Sequence, residues 1–325
     1  MHSILTITFS PCIDKSFSVA ELLAERKLRS SIPKMEPGGG GINVARVLTR
    51  LGAKVIALYP SGGYTGQAFD ELLAKEQVAA IPVKTQNETR ENIIVLETST
   101  NKQFRFTMPA TSLTEKEIER ILERVERLKK LDFIVVSGSL PSAISPLVFS
   151  QINAAAARKE AKLIVDTSGE MLKHAVDMGV YLIKPNISEL ACLAGKESVS
   201  ANEIVCDAKR IIGTKKCEVI VVSMGAAGAM LITKEDTIPI MPPAVEVQST
   251  VGAGDSMVAG IVFALSRGKN IETSVQYGVA CGTATTLNGG TELCHVEDVE
   301  RLFDQIRLSP RAELNSDTLD CVKPH

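Results

Sequence analysis

The sequence predicts an α/β fold of three layers, a largely parallel sheet with helices on both faces, with a small discontinuous β-sheet set on it as a lid. Three observations carry that expectation. Short β-branched runs alternate with helical patterns, the runs are apolar at consecutive positions, and two stretches switch to a period of two. The runs are Phe133-Ile134-Val135-Val136, Leu163-Ile164-Val165-Asp166, Tyr181-Leu182-Ile183 and Glu218-Val219-Ile220-Val221-Val222. A strand apolar on consecutive positions has to bury both faces, which is the situation of a parallel sheet covered on each side. Residues 115–130 place Ile118, Ile121, Leu122, Val125 and Leu128 at helical spacing with charge elsewhere, as on a helix whose outer face is solvated. Residues 12–35 and 90–108 break the rhythm: Phe104-Arg105-Phe106 alternates, and Ile93 to Glu97 ahead of Asn101-Lys102 reads as one arm of a hairpin. These distant pieces would form one separate sheet inserted into the core. A sheet with so few partners needs covering, which predicts a homodimer through the lid. The domain is expected to span 1–308. Residues 309–325, polar and aperiodic with two prolines, are expected to form a mobile tail.

Composition narrows the function. The 325 residues, 45% hydrophobic and 23% charged, can bury a large core, which excludes a disordered or fibrous chain. Thirty-six Lys and Arg against 38 Asp and Glu leave a net charge of -2, so no basic field exists for binding nucleic acid or an anionic membrane without specificity. The N-terminus lacks a basic, apolar leader, and no run approaches the ~18 apolar residues of a membrane span, so a cytoplasmic protein is expected. Seven cysteines, an odd number without a Cys-x-x-Cys pair, suit free thiols in a reducing compartment. Four scattered histidines give little support to a zinc site or a Ser-His-Asp triad.

Three clusters can do chemistry. Ser249-Thr250-Val251-Gly252-Ala253-Gly254-Asp255-Ser256 runs into an apolar helical stretch, so small residues would expose the N–H groups of a helix start to phosphate or a developing oxyanion. Asp255 in that first turn also suits the helix dipole, but the dipole explains an Asp and leaves the preceding Gly-Ala-Gly unexplained. Pro37-Gly38-Gly39-Gly40-Gly41-Ile42-Asn43 lets backbone approach a ligand closely before a helix carrying Asn43. It is a poor dinucleotide fingerprint, because Asn43 stands where the third glycine belongs. Lys184-Pro185-Asn186-Ile187-Ser188-Glu189 follows a buried strand, at the end of a sheet where ligands collect; Asn186 is equally suited to cap a helix. Val222-Ser223-Met224-Gly225-Ala226-Ala227-Gly228 forms a similar strand end, a tight turn with or without a nucleotide above it. No Gly-Lys-[Ser/Thr] P-loop is present.

Taken together, Gly38 to Arg46 and Thr250 to Ser256 match the two signatures of the PfkB (ribokinase-like) carbohydrate kinase family, and the resemblance extends to about Leu308. With Val136-Ser-Gly-Ser-Leu-Pro141, the chain is most similar to the phosphofructokinase branch. The resemblance implies a ribokinase-like fold and ATP-dependent transfer of the γ-phosphoryl group to the 1-hydroxyl of fructose 6-phosphate. It implies Asp255 as general base, with Gly252, Ala253 and Gly254 as an anion hole. Asp14, Gly39 and Asn43 would hold sugar hydroxyls, and Lys27, Arg90, Arg105 and Ser139 the sugar phosphate. A lone Arg or Lys on a lid strand, read without the resemblance, is a solvated edge charge. Lys184, Asn186, Ser223, Gly225 and Gly228 would surround the nucleotide, and Glu189 would organise Mg²⁺ through water. Ser249, Val251, Thr285, Asn288 and Gly290 match a monovalent cation site, with K⁺ the expected ion. Two positions depart from the family: Ser249 stands where many members have Asp, and Glu292 where the branch has a basic residue.

The same chemistry serves tagatose-6-phosphate kinase and 1-phosphofructokinase, which the sequence separates poorly from the main reading. A non-catalytic sugar-phosphate or nucleotide sensor on the same fold is the alternative from another class, and retention of Asp255 with Gly252 to Gly254 argues against it.

Overall fold

The structure is a computed structural model that describes residues 3–141 and 144–309, so all of the expected tail except Ser309 lies outside the described residues. In chain order the first elements are β1 (Ile4–Ile7), β2 (Cys12–Val19), β3 (Lys34–Gly38), α1 (Gly40–Arg50), β4 (Val55–Gly62), α2 (Gly63–Lys75), β5 (Ala80–Thr85), β6 (Arg90–Glu97) and β7 (Lys102–Phe106). Then come α3 (Glu115–Arg127), β8 (Phe133–Ser137), α4 (Leu147–Arg158), β9 (Lys162–Asp166), α5 (Gly169–Met178), β10 (Val180–Ile183), α6 (Ile187–Ala194), α7 (Ala201–Gly213) and β11 (Cys217–Ser223). The remainder is β12 (Ala229–Ile232), β13 (Thr237–Ile240), α8 (Ala253–Ser266), α9 (Ile271–Thr286) and α10 (Val296–Leu308).

Nine strands form one sheet in the order β13-β12-β11-β10-β9-β8-β1-β4-β5. Pairing is parallel from β11 to β5, whereas β12 and β13 add an antiparallel edge that the apolar runs do not announce. Alternate residues of each strand enter opposite cores. Val135 packs with α1 and α8 residues such as Ile42 and Val258, while Ile134 and Val136 pack with Ile121 of α3 and Ile152 of α4. This two-sided burial is why the strands read as continuous apolar runs. At about 25 cal/mol per Å² of apolar surface it is the main source of stability.

The chain leaves β1 toward β4 on one side and reaches β8 on the other, so strand order reverses between β1 and β8 and a crevice opens at their carboxyl ends. Over it stands the second sheet, in the order β3-β2-β6-β7. It includes Lys34–Gly38, a segment whose Pro37 and glycines make it a poor buried strand but leave it suitable as an edge. The expected hairpin is present, with β6 and β7 joined through Asn101 at φ 55°.

Cys12, Cys192, Cys217, Cys281 and Cys294 carry free thiols, whereas Cys206 is disulfide-bonded, a departure from the expectation of free thiols throughout. No helix among the described residues is long and apolar enough to cross a membrane.

Candidate active site

The turn before α8 brings its glycines to the mouth of the crevice. Gly252 caps the helix at φ 76°, and a Cβ built there would lie 2.6 Å from Leu293 Cδ2, so glycine alone fits both the backbone and the neighbouring loop. Ser256 N closes a helical turn onto Gly252 O at 2.9 Å, and the N–H groups of Gly254 and Asp255 precede that turn without a helical acceptor. These are the donors an anion would meet. Asp255 Oδ2 accepts a 2.9 Å hydrogen bond from Asn43 Nδ2 of α1, which joins the two glycine motifs. Burial pushes the Asp255 carboxyl up to about 7; the charges of Asp166 and Asp14 add to the rise, while the Asn43 hydrogen bond and Lys184 oppose it. A carboxylate with that value is well matched to accepting a proton at neutral pH.

Lys184, directly after β10, is buried and holds Asp166 Oδ1 at 3.2 Å. A Cβ built on Gly254 would stand 3.4 Å from Lys184 Nζ, so the ammonium lies against the anion-binding turn. Burial works against its charge, and Asp166, Asp255 and Glu189 outweigh burial, raising its pKa. Asn186 does cap α6, accepting from Glu189 N at 2.8 Å, and Glu189 Oε2 accepts from Asn186 N at 2.8 Å. No hydrogen bond among the described residues involves Glu189 Oε1. Burial first, then Asp166, raises the Glu189 carboxyl against the Asn186 backbone bond and Lys184. Ser223 is tied to the same strand end, its N donating to Pro185 O at 2.9 Å. Gly225 opens a short 3-10 turn that Gly228 closes, with Gly228 N donating to Gly225 O at 3.0 Å.

Asp14 of β2 lies beside Asn92 of β6, whose Nδ2 donates to Asp14 Oδ1 at 2.9 Å. Burial raises the Asp14 carboxyl, with the bonds from Asn92 and Cys12 opposing. Burial also pushes the Cys12 thiol well up, so it stays protonated and donates to Asp14 Oδ1 at 3.4 Å. A Cβ built on Gly38 would meet Asp14 Oδ2 at 2.2 Å, so any side chain there would displace the Asp14 carboxylate. Gly39 follows as the cap of α1. Arg90 spans the crevice from the small sheet, donating to Met108 O at 2.6 Å, Ser10 O at 3.4 Å and Ser139 Oγ at 3.5 Å. Lys27 is exposed between β2 and β3, and Arg105 is exposed on β7 with Nε held by Gln103. Among the described residues no hydrogen bond or ion pair joins either of them to the buried cluster.

The expected cation residues gather behind the turn. Ser249 Oγ donates to Gly290 O at 2.7 Å and accepts from Val251 N at 3.3 Å, holding the two carbonyl-bearing segments side by side. Thr285 Oγ1 donates to Ser256 Oγ at 2.7 Å, and Asn288 Nδ2 to Leu293 O at 3.3 Å. The anomalous Glu292 is neutralised, paired with Lys34 at 3.1 Å and His295 at 3.0 Å, and the bond from Lys34 holds its carboxyl below the usual range.

Sequence reasoning missed Asp166, which it read only as the end of a strand, although an Asp closing a buried run at the sheet's carboxyl edge is a usable signal. It also missed Asn92 and Glu36, which carry no local signature, and gave no role to Arg46 although it closes the Gly38 to Arg46 motif.

A family model described as pfkB family carbohydrate kinase matches residues 8–298. The ATP-dependent 6-phosphofructokinase isozyme 2 of Escherichia coli strain K12 is 38% identical over 304 residues, covering 93% of this chain and 98% of that protein. A crystal structure of phosphofructokinase-2 from Escherichia coli in complex with potassium superposes with a TM-score of 0.91 at 38% identity, over 94% of this chain and 100% of that one. The complex of that enzyme with fructose-6-phosphate gives 0.89 at 36% identity, with the same shares.

Proposed function

This chain belongs to the pfkB family of carbohydrate kinases, and on that premise we propose that it is an ATP-dependent 6-phosphofructokinase, phosphorylating the 1-hydroxyl of fructose 6-phosphate to give fructose 1,6-bisphosphate. The observation that carries the reading is Asp255, a carboxyl raised to about 7 and held by Asn43 at an anion-binding helix start. Support comes from the relative named for this activity and from its complex with fructose-6-phosphate.

In this reading Asp255 takes the proton of the 1-hydroxyl as the oxygen attacks phosphorus. The turn Gly252-Ala253-Gly254, through the free N–H groups of Gly254 and Asp255, meets the charge that spreads over the transferred phosphoryl group, where electrostatics and positioning supply most of the catalysis. Asp14, Gly39 and Asn43 orient the sugar through its hydroxyls, and Lys184 sits at the ATP phosphates among Asn186, Ser223, Gly225 and Gly228. The small sheet acts as a lid that excludes water from the transfer.

The described residues hold no cluster of three or more His, Cys, Asp or Glu that could cage a metal ion. That suits Mg²⁺, which keeps several waters and binds through substrate phosphates. Glu189 would hold it through water, and bound Mg²⁺ would neutralise the phosphate oxygens. The neutral carbonyl and hydroxyl oxygens at Ser249, Val251, Thr285, Asn288 and Gly290 suit a monovalent cation, as K⁺ in the potassium complex of the relative suggests. The expected homodimer would use the outer face of the small sheet, where Met35, Phe104 and Phe106 are exposed. Sedimentation at micromolar protein should give twice the chain mass, and a monomer would end that reading. A cytoplasmic location fits an enzyme that uses ATP.

Arg90→Ala should raise KM for fructose 6-phosphate by roughly 10- to 100-fold, the worth of one charge-assisted bond, with KM for ATP little changed. Equal rises in both constants would remove Arg90 from the sugar phosphate. The function itself is tested by ADP release with Mg-ATP and K⁺ at matched sub-saturating fructose 6-phosphate, tagatose 6-phosphate, fructose 1-phosphate and free fructose. The highest kcat/KM belongs to fructose 6-phosphate if the reading holds. Preference for another acceptor moves the enzyme to a sibling activity, and no release with any of them defeats the reading.

A further inference from the structure

Arg46 is the largest side chain in the fully buried interior, 1% exposed; a charge so placed is costly unless it is paired, and both of its Nη atoms are engaged while its Nε has no partner. It stands one turn beyond Asn43 on α1, and Nη1 donates to Asn43 Oδ1 at 3.3 Å and to Pro37 O at 2.8 Å. Nη2 pairs with Glu36 at 3.3 Å and with Glu76, the residue that closes α2, at 2.5 Å. Glu36, on β3 of the small sheet, accepts from Thr291 Oγ1 at 2.6 Å, and Thr291 adjoins Gly290, to which Ser249 is bonded. One continuous path therefore runs from the loop after α9, through the small sheet, to Asn43 and Asp255.

The donor inventory gives this path a direction. A guanidinium can only donate, so the face of the Asn43 carboxamide toward Arg46 has to be oxygen. The other face is then NH₂, the one group of that amide able to donate to Asp255 Oδ2. With the amide reversed, oxygen would face carboxylate. Nothing about stability requires such an arrangement, since buried ion pairs are often replaceable by apolar packing. A fixed amide orientation does require it.

We propose that Arg46 is a positioning residue that locks the Asn43 carboxamide with its NH₂ toward Asp255 and, through Glu36 and Pro37, ties that orientation to the placement of the small sheet. The inference rests on Asp255 being the general base. The other charged and titratable groups facing Asp255 are Asp166 from β9, Lys184 after β10, and Asp14 and Cys12 from β2; Arg46 hydrogen-bonds none of them, but its charge favours the ionised Asp14 carboxyl. A change at Arg46 can therefore reach Asp255 through Asn43 or through Asp14, and only the Asn43 route is silenced in an Asn43→Ala background.

The test is the pH dependence of kcat in Arg46→Gln, Arg46→Lys, Asn43→Ala and the Arg46→Gln/Asn43→Ala double variant, measured on the full chain. Arg46→Gln should move the acidic limb upward by about one pH unit, because a carboxylate that loses a donor holds its proton more tightly. Arg46→Lys should recover part of that shift. In the Asn43→Ala background Arg46→Gln should add nothing to the limb, the sign of two residues acting as one unit. A limb that stays in place while thermal stability falls, or shifts that add in the double variant, would overturn the proposal. Thr291→Val breaks the path at its far end and serves if the Arg46 variants do not fold: a smaller shift in the same direction supports the inference, and none defeats it. If Asp255→Asn itself remains active, the failure lies with the base assignment.

Discussion

Asp255→Asn should lower kcat on the order of 10²- to 10⁴-fold while KM for ATP stays within a few-fold of wild type, and the same substitution should make the protein more stable at pH 8. The first effect follows from removing the proton acceptor and leaving the anion-binding turn intact. The second follows from linkage. The Asp255 carboxyl lies near 7 in the fold against a usual 3.8, so the folded state holds its proton more tightly than the unfolded chain does. Its contribution to stability is complete below the unfolded value, is lost progressively as pH rises, and is gone above about 7. At about 1.4 kcal/mol per unit, the cost of the buried carboxylate at pH 8 is of order 4 kcal/mol at most. Asparagine carries no such charge and can still accept from Asn43 Nδ2. Thermal unfolding at pH 5 and pH 8 should show the variant's advantage widening with pH. An Asp255→Asn enzyme that keeps more than a tenth of wild-type kcat would remove Asp255 as the base, and an advantage that narrows with pH would contradict its raised proton affinity.

Lys184→Met should give the second large effect, in three measurements together. The ammonium is the cation shared by Asp166, Asp255 and Glu189. Without it those carboxyls lose an opposing charge and hold their protons more firmly. KM for ATP should rise at least tenfold, because a charge-assisted contact to phosphate is worth roughly 1.5–3 kcal/mol. The acidic limb of kcat should move above its wild-type position. Stability should fall by up to about 3–5 kcal/mol, the cost of breaking a buried pair. Because Asp166 can protonate in response, that loss should be smaller at pH 6 than at pH 8. A pH-independent loss with unchanged KM for ATP would assign Lys184 to packing alone.

The parts of the molecule legible in the sequence were those whose signal is local. Val135 and Ile134 feed opposite cores, and that demand wrote itself into consecutive apolar residues. Gly252, Asp255 and Asn43 lie inside short motifs in which glycine, a helix start and a polar side chain appear together. The rest depends on contacts that no local pattern records. Thr291 and Glu36 are 255 positions apart, and Arg46 is a charged residue on a helix buried over most of its length, its ion-pair partners lying outside its own motif. Ala229–Ile232 is buried at every position as a parallel strand would be, so its antiparallel pairing with β11 could not be read from burial. Lys27 and Arg105, assigned by resemblance alone, are the positions that the fold leaves apart from the buried cluster.

Whether Asp255 is the base can be read from the pH dependence of kcat/KM for fructose 6-phosphate at saturating Mg-ATP, which reports the ionisation of the base in the enzyme before the sugar binds. Activity should fall as a single proton is taken up around pH 7, and the limb should move upward in Lys184→Met. A wild-type profile that is flat from about pH 6 to 9, or a limb that stays in place when Lys184 is replaced, would contradict that assignment.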